Sequence, residues 1–87
     1  MLYLHHAGRA IPVRKSRKLK VNFGFFDTAK QEIVVDSRIT GEQALEIYIH
    51  EALHACLPDL SEEAVTDAAR SIANLLDQDE VRAQTDA

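Results

Sequence analysis

Residues 40–58 read TGEQALEIYIHEALHACLP, and the interpretation of the whole chain starts from them. Apolar residues recur in this stretch at nearly every phase of the helical period, which predicts a helix that is buried almost all round. Thr40 and Gln43 have the spacing of a capping box at its start. Pro58 disfavours helical geometry at Leu57 and ends the helix. The sequence therefore predicts a central, buried helix between Thr40 and Leu57.

Within that helix, His50, Glu51 and His54 form the pattern His-Glu-x-x-His. Residues four apart on a helix lie about 40° apart around the axis and about 6 Å apart along it, so both imidazoles can meet one metal ion. The glutamate beside the first histidine can take a proton from a water whose pKa zinc lowers to about 7. Two imidazoles and a carboxylate inside a core are costly unless something pairs them. The pattern predicts Zn²⁺ held by His50 and His54, with Glu51 as the general base.

A catalytic zinc usually has three protein ligands, so a third ligand must come from elsewhere in the chain. Ser61 is a good N-cap for a second helix, whose apolar stripe includes Val65 and Ala69. At 100° per residue, Glu62 lies about 60° from Val65 and about 20° from Ala69, whereas Glu63 lies about 100° further round, on a polar face. We therefore predict Glu62 as the third ligand and Glu63 as the second choice. The other candidates are Asp59, Asp67, His5 and His6, and Asp59, Thr66 or Asp67 could orient a histidine.

The motif and its surroundings resemble a known family of zinc peptidases. The run Ile49–Ala55, followed by Leu60–Val65, is similar to the gluzincins, whose zinc is bound by the two motif histidines and by a glutamate on the next helix. The compact arrangement of hairpin, helix and helix resembles minigluzincin-like and phage-encoded metallopeptidase-like proteins, over about residues 21–77. The resemblance implies a hydrolase that cleaves a peptide or protein substrate, held by strand addition at the edge of the hairpin.

Comparison with full-sized gluzincins gives one further similarity and two differences. Enzymes of the thermolysin type resemble it at Glu63–Asp67, and that similarity favours Glu63 as the zinc ligand, against the helical-wheel argument for Glu62. The chain also lacks most of their substrate-binding lobe. No histidine or tyrosine is evidently placed to stabilise an oxyanion, and the unplaced candidates are Tyr3, His5, His6 and Tyr48. Metal binding is thus predicted more firmly than proteolysis.

The rest of the sequence predicts a small α+β domain. Apolar residues alternate with polar ones at 19–25 and again at 32–36, which predicts an antiparallel hairpin or small sheet of half-buried strands packed on the two helices. Gly24 marks a bulge or a close backbone approach. Residues 1–17 are interpreted as an N-terminal arm or edge strand, because Pro12 favours an edge or a turn. Residues 78–87 are expected to fray, and Cys56 is expected in the core.

Length and charge limit the classes of function. The 87 residues make a single domain over 1–87, with a net charge of −4. Residues 1–40 carry eight Lys or Arg and three Asp or Glu, whereas residues 41–87 carry two and eleven. One cysteine and no signal peptide or membrane span indicate a cytoplasmic protein.

Two alternatives to the peptidase stay open. The first is a non-catalytic, zinc-stabilised binding or regulatory module of phage type, which a closed site with a fourth protein ligand would favour. The second is nucleic-acid binding through the basic residues 14–20, which the acidic character of the whole chain disfavours. The oligomeric state does not follow from the sequence.

Overall fold

The computed structural model describes residues 1–17, 19 and 23–85. In this part of the chain the elements are, in order, β1 (Leu2–His6), β2 (Arg9–Ser16), β3 (Gly24–Asp27), β4 (Glu32–Asp36), α1 (Gly41–Cys56), α2 (Glu62–Leu76) and α3 (Asp79–Thr85). The strands form one sheet in the order β1-β2-β4-β3. The predicted α+β class is confirmed.

The sheet is mixed, whereas the sequence predicted an antiparallel one. β1 pairs with β2, and β3 with β4, in antiparallel fashion, but β2 runs parallel to β4. The expectation that Pro12 marks an edge or a turn is therefore wrong, because β2 lies between β1 and β4. Pairing with β4 begins at Val13, one residue after Pro12, so the missing amide hydrogen of proline falls outside that ladder. Of residues 1–17, β1 alone forms a sheet edge.

The predicted hairpin exists, but its two strands differ from expectation. β3 begins at Gly24, and three of the seven residues of the strand predicted for 19–25 are residues 20–22, which lie outside the described residues. β4 coincides with the second predicted strand, but Ile33, Val34 and Val35 are each 1% exposed. The prediction of a half-buried strand is wrong here, because Val34 is as buried on one face of this interior strand as Ile33 and Val35 are on the other.

The core lies between the sheet and α1, and α2 packs on the far side of α1. Its buried members are Ile11, Ile33, Val35 and Ala55, with Leu4, Val13, Phe26, Ile47 and Tyr48 packed around them. On α2 the residues with no exposed surface are Val65, Ala69 and Ala73, three positions of the predicted stripe. Two of these are alanines, so the two helices can approach closely. The position of α2 relative to α1 is therefore set by a contact of small side chains.

The predicted helix boundaries agree with the structure better than the predicted burial of the helices does. Ser61 caps α2 as predicted, because its Oγ accepts from the amide of Ala64 at 3.1 Å. Thr40 is the N-cap of α1, but its side chain makes no cap hydrogen bond, so the predicted capping box is wrong. α1 is also less buried than predicted, since only Glu51 and Ala55 are buried and Cys56 is half-buried. A domain of this size covers α1 on two sides and leaves a third side to a cleft.

The C-terminal tail, expected to fray, forms the exposed helix α3 as far as residue 85. The side chains of Arg82 and Asp77 are in contact across its start. Among the described residues, no helix is both long and apolar enough to cross a bilayer.

Asp36, at the end of β4, makes the stability of the fold depend on pH. It is 3% exposed, and its carboxylate accepts from the Arg38 side chain at 2.9 and 2.7 Å and from the Arg38 amide at 2.9 Å. The side-chain hydrogen bonds from Arg38, followed by the bond from its amide, lower the pKa of Asp36 from 3.8 to about 2. The contribution to stability is therefore complete above about pH 4 and is lost as the pH falls toward about 2.

We expect Arg38→Ala to lower the melting temperature at pH 7, and the difference from wild type to shrink as the pH falls from about 4 to about 2. Thermal unfolding followed by circular dichroism across this range checks the prediction. Arg70→Ala is the matched control, because Arg70 pairs with Glu46 at an exposed site. A difference between Arg38→Ala and wild type that does not change with pH would contradict the assignment.

Candidate metal centre

Three side chains from two helices converge at one point. His50 and His54 lie one turn apart on α1, and Glu62 lies in the first turn of α2. The carboxylate of Glu62 spans both rings: Oε1 lies 2.8 Å from His50 Nε2, and Oε2 lies 2.9 Å from His54 Nε2. The two Nε2 atoms are 3.1 Å apart. The short connection that follows Leu57 returns the chain to α1 and places Glu62 opposite the histidines.

This group can hold a metal ion, and among the described residues no other group of three or more His, Cys, Asp or Glu side chains can. The distances suit a small cation, because donors about 2.0–2.1 Å from a tetrahedral zinc lie roughly 3.3 Å from one another. Imidazole nitrogens and a carboxylate oxygen are ligands that zinc accepts. The sequence-predicted donors therefore fit the ion, and a shift of a few tenths of an ångström brings them to its bonding distances.

The other candidate ligands lie outside this group. Glu63, the second choice from the sequence, is exposed on α2, as are Asp59 and Asp67 at their positions. His5 and His6 lie on β1, which is the sheet edge opposite β3, and they line a separate depression of about 350 Å³ near the turn between β1 and β2. The helical-wheel choice of Glu62 over Glu63 agrees with this geometry.

The histidines and the motif glutamate differ in environment. The side chains of His50 and His54 are 20% and 28% exposed, and their rings meet edge to face with centroids 4.8 Å apart. Glu51 is 8% exposed. Burial raises the pKa of Glu51 above its ordinary value, and the neighbouring His50 and His54 oppose that shift. A hydrogen bond from the backbone amide of Phe26 on β3 also favours the charged carboxylate.

A cleft of about 730 Å³ opens beside the group, between α1 and β3. Its lining includes His50, Glu51, His54 and Glu62, and β3 contributes Gly24, Phe25 and Phe26 to the opposite wall. Glu46 adds a further carboxylate, and among the described residues no Lys or Arg lines the cleft. The metal-binding group and the motif glutamate therefore face one open space that is negatively charged.

The oxyanion candidates named from the sequence do not line this cleft. Tyr48 belongs to the packed core, and Tyr3, His5 and His6 belong to β1 at the far edge of the sheet. Sequence reasoning also missed the contact between the Phe26 amide and Glu51, because a backbone donor leaves no signature in a sequence. The signal that pointed towards it was Gly24, which the sequence marked as a bulge or a close approach.

Comparisons of the chain with protein-family models, with curated proteins and with solved structures found no match. The resemblance to gluzincins and to phage-encoded proteins accordingly stays a prediction from the motif.

Proposed function

We propose that the protein is a zinc-dependent peptidase in which His50, His54 and Glu62 hold the zinc ion and Glu51 is the general base. The observation that supports this is the convergence of three ligand side chains, whose nitrogen and oxygen atoms make contacts of 2.8–3.1 Å, at a cleft that Glu51 also lines. Three protein ligands with an adjoining open space is the arrangement typical of catalytic zinc.

Each residue of the site has its own role in the proposed reaction. Zinc, when bound, acidifies a water molecule and polarises a substrate carbonyl. Glu51 takes a proton from the attacking water as the new carbon–oxygen bond forms, and it gives that proton to the departing amine as the carbon–nitrogen bond breaks. His50 and His54 would hold the ion through Nε2, the ring nitrogen that faces Glu62 in both residues. The burial of Glu51 keeps bulk water away from the group that carries the proton.

The edge of the sheet suggests how a substrate is held. β3 is an edge strand and lines the cleft, so an extended peptide can pair with it and cross the zinc site. The carboxylates of Glu46, Glu51 and Glu62 make this path negatively charged. A flexible peptide or an unfolded segment of a protein is therefore the substrate we propose.

A non-catalytic zinc module is the alternative in a different class. A fourth protein ligand that closes the site would favour it, and the group contains three among the described residues. Two observations concern the nucleic-acid alternative. Arg14 forms an ion pair with Glu32 at 3.3 Å, and Lys18 and Lys20 of the basic run lie outside the described residues.

The proposal is tested on the wild-type chain by metal analysis and by proteolysis. We expect about one zinc ion per chain after purification in the presence of zinc. We also expect the zinc-loaded protein to cleave members of a proteome-derived peptide mixture, followed by mass spectrometry, with cleavage stopped by a chelator and restored by zinc. A chain that binds no zinc contradicts the whole proposal. Zinc binding without any new cleavage product contradicts the peptidase and favours the non-catalytic module.

A further inference from the structure

Gly24 is the point at which β3 comes closest to α1. A Cβ atom built on Gly24 would lie 2.8 Å from Ile47 Cγ2, 3.0 Å from the Val34 carbonyl oxygen and 3.6 Å from Glu51 Cγ. Approaches under 3.0 Å are essentially never seen for real Cβ atoms, so a side chain here requires Ile47 to shift or the strand and the helix to move apart. Gly24 is not among the residues with positive φ. Glycine therefore fits at this position because it has no side chain. Its absence lets β3 pack closely against the turn of α1 that carries Glu51.

The backbone amide of Phe26 uses this closeness. The Phe23 carbonyl accepts from the Asp36 amide at 2.8 Å, so the backbone groups of Phe23 and Phe25 point towards β4. Backbone groups alternate in direction along an antiparallel strand, so those of Gly24 and Phe26 point away from β4, towards the open edge and the cleft. Glu51 Cγ comes against Gly24 on this side, so the Phe26 N–H is oriented to donate to the Glu51 carboxylate, a hydrogen bond that favours its charged form. One donor of the sheet edge is thus bound to a helix side chain, which leaves the backbone groups of Gly24 and the Phe26 carbonyl for pairing with a peptide.

The same contact helps to keep Glu51 out of the metal-binding group. Glu51 lines the same cleft, yet only His50, His54 and Glu62 converge. Glu51 lies about 100° round the helix from His50, and its flexible stem could still swing the carboxylate towards a cation unless a partner holds it. The Phe26 N–H holds the carboxylate on the strand side of the cleft.

We propose that Gly24 and the Phe26 amide are positioning elements, which dock the Glu51 carboxylate on the edge of β3 and keep it beside the zinc site instead of in it. The inference rests on the proposed role of Glu51 as general base. Neither element touches the reacting atoms; both act through the side chain that they hold.

Amide hydrogen exchange, measured by NMR on the metal-free protein, tests the docking directly. In wild type we expect the Phe26 amide to be protected although it belongs to an edge strand. In Glu51→Ala its protection falls by about tenfold or more, the equivalent of a hydrogen bond to a charged group, while Glu51→Gln keeps most of it because an amide oxygen still accepts. The Phe25 amide, directed at β4, is the internal reference for global stability. Equal protection of Phe26 in wild type and in Glu51→Ala overturns the proposal.

Gly24→Ala tests the role of space. We expect the added methyl group to separate β3 from α1, so that Phe26 protection falls as in Glu51→Ala, while zinc affinity stays at the wild-type level. Adding Ile47→Ala removes the Cγ2 atom that the methyl group meets, and we expect this double variant to recover part of the Phe26 protection and part of the cleavage rate. Loss without recovery contradicts the spacing argument. The comparison of Glu51→Ala with Glu51→Gln decides the docking even where Gly24→Ala lowers stability.

The outcomes separate this inference from the proposed function. A wild-type chain that binds no zinc contradicts the peptidase, and the exchange data on the metal-free protein still report the docking. Conversely, zinc-dependent cleavage together with Phe26 amide protection that does not change in Glu51→Ala would support the proposed peptidase function and overturn the positioning role.

Discussion

In the His54→Ala variant, zinc affinity falls by about a hundredfold or more. Structural zinc sites with four ligands bind with about 10–16 kcal/mol, or roughly 3 kcal/mol for each ligand, which corresponds to about two orders of magnitude in affinity. The remaining ligands, His50 and Glu62, come from different helices. Among the described residues the group has no further side chain that could replace the lost imidazole. Competition against a chromophoric zinc chelator measures the change. Alanine suits the middle of a helix, so circular dichroism should show α1 intact.

Glu62 and Glu63 supply the matched pair that identifies the third ligand. Both are exposed acids in the first turn of α2, so removing either costs the same interaction with the helix dipole. Only Glu62 reaches the histidines. We expect Glu62→Ala to weaken zinc binding about as much as His54→Ala and Glu63→Ala to leave it unchanged. Equal affinity in wild type and His54→Ala would place the metal elsewhere, and loss confined to Glu63→Ala would restore the thermolysin-type assignment.

The second large effect concerns the chemistry rather than the metal. We expect Glu51→Gln to retain zinc and to lower peptide cleavage by about 10²–10⁴-fold, the usual contribution of a general base. Glutamine has the shape of glutamate but cannot take up the proton of the attacking water. The rate of cleavage of a peptide identified in the mixture, with zinc content measured on the same sample, checks the prediction.

Glu46→Gln is the control for charge at this site. Glu46 lines the same cleft on the same helix and forms an exposed pair with Arg70, so its substitution also removes one negative charge. Its cleavage rate should stay close to wild type. Unchanged cleavage in Glu51→Gln would remove Glu51 from the mechanism, and equal losses in both variants would indicate that the field of the cleft, and no single base, carries the effect.

The ligand geometry was predictable because it is local. The interval of four between His50 and His54 places both rings on one helical face, and the wheel of α2 puts Glu62 at the margin of its buried stripe. The turn between the helices is too short to carry α2 far from α1. Helical period and turn length together bring all three donors to one place without knowledge of the sheet.

The surroundings of the site were less predictable because they depend on partners that are distant in sequence. Whether β4 is half-buried or fully buried depends on β2, which pairs with it from about 20 residues away. Pro12 favoured an edge on statistical grounds, but the parallel ladder begins one residue later. The partner of the Glu51 carboxylate is a backbone amide of β3, and the spacing of side chains carries no information about it.

The alanines at the contact between α1 and α2 have a consequence for how this chain can vary. The donor atoms are divided between the two helices, and the gap between those helices is filled by Ala69 and Ala73, which have no exposed surface. The separation of nitrogen from oxygen at the site is thus governed by methyl groups two and three turns away along α2. Larger residues at these positions would move the donor atoms apart and lower the affinity for a cation, although they contact none of the ligands. The β1–β2 hairpin lies outside the lining of the cleft, so substitutions at its exposed positions should leave the separation of the donor atoms unchanged.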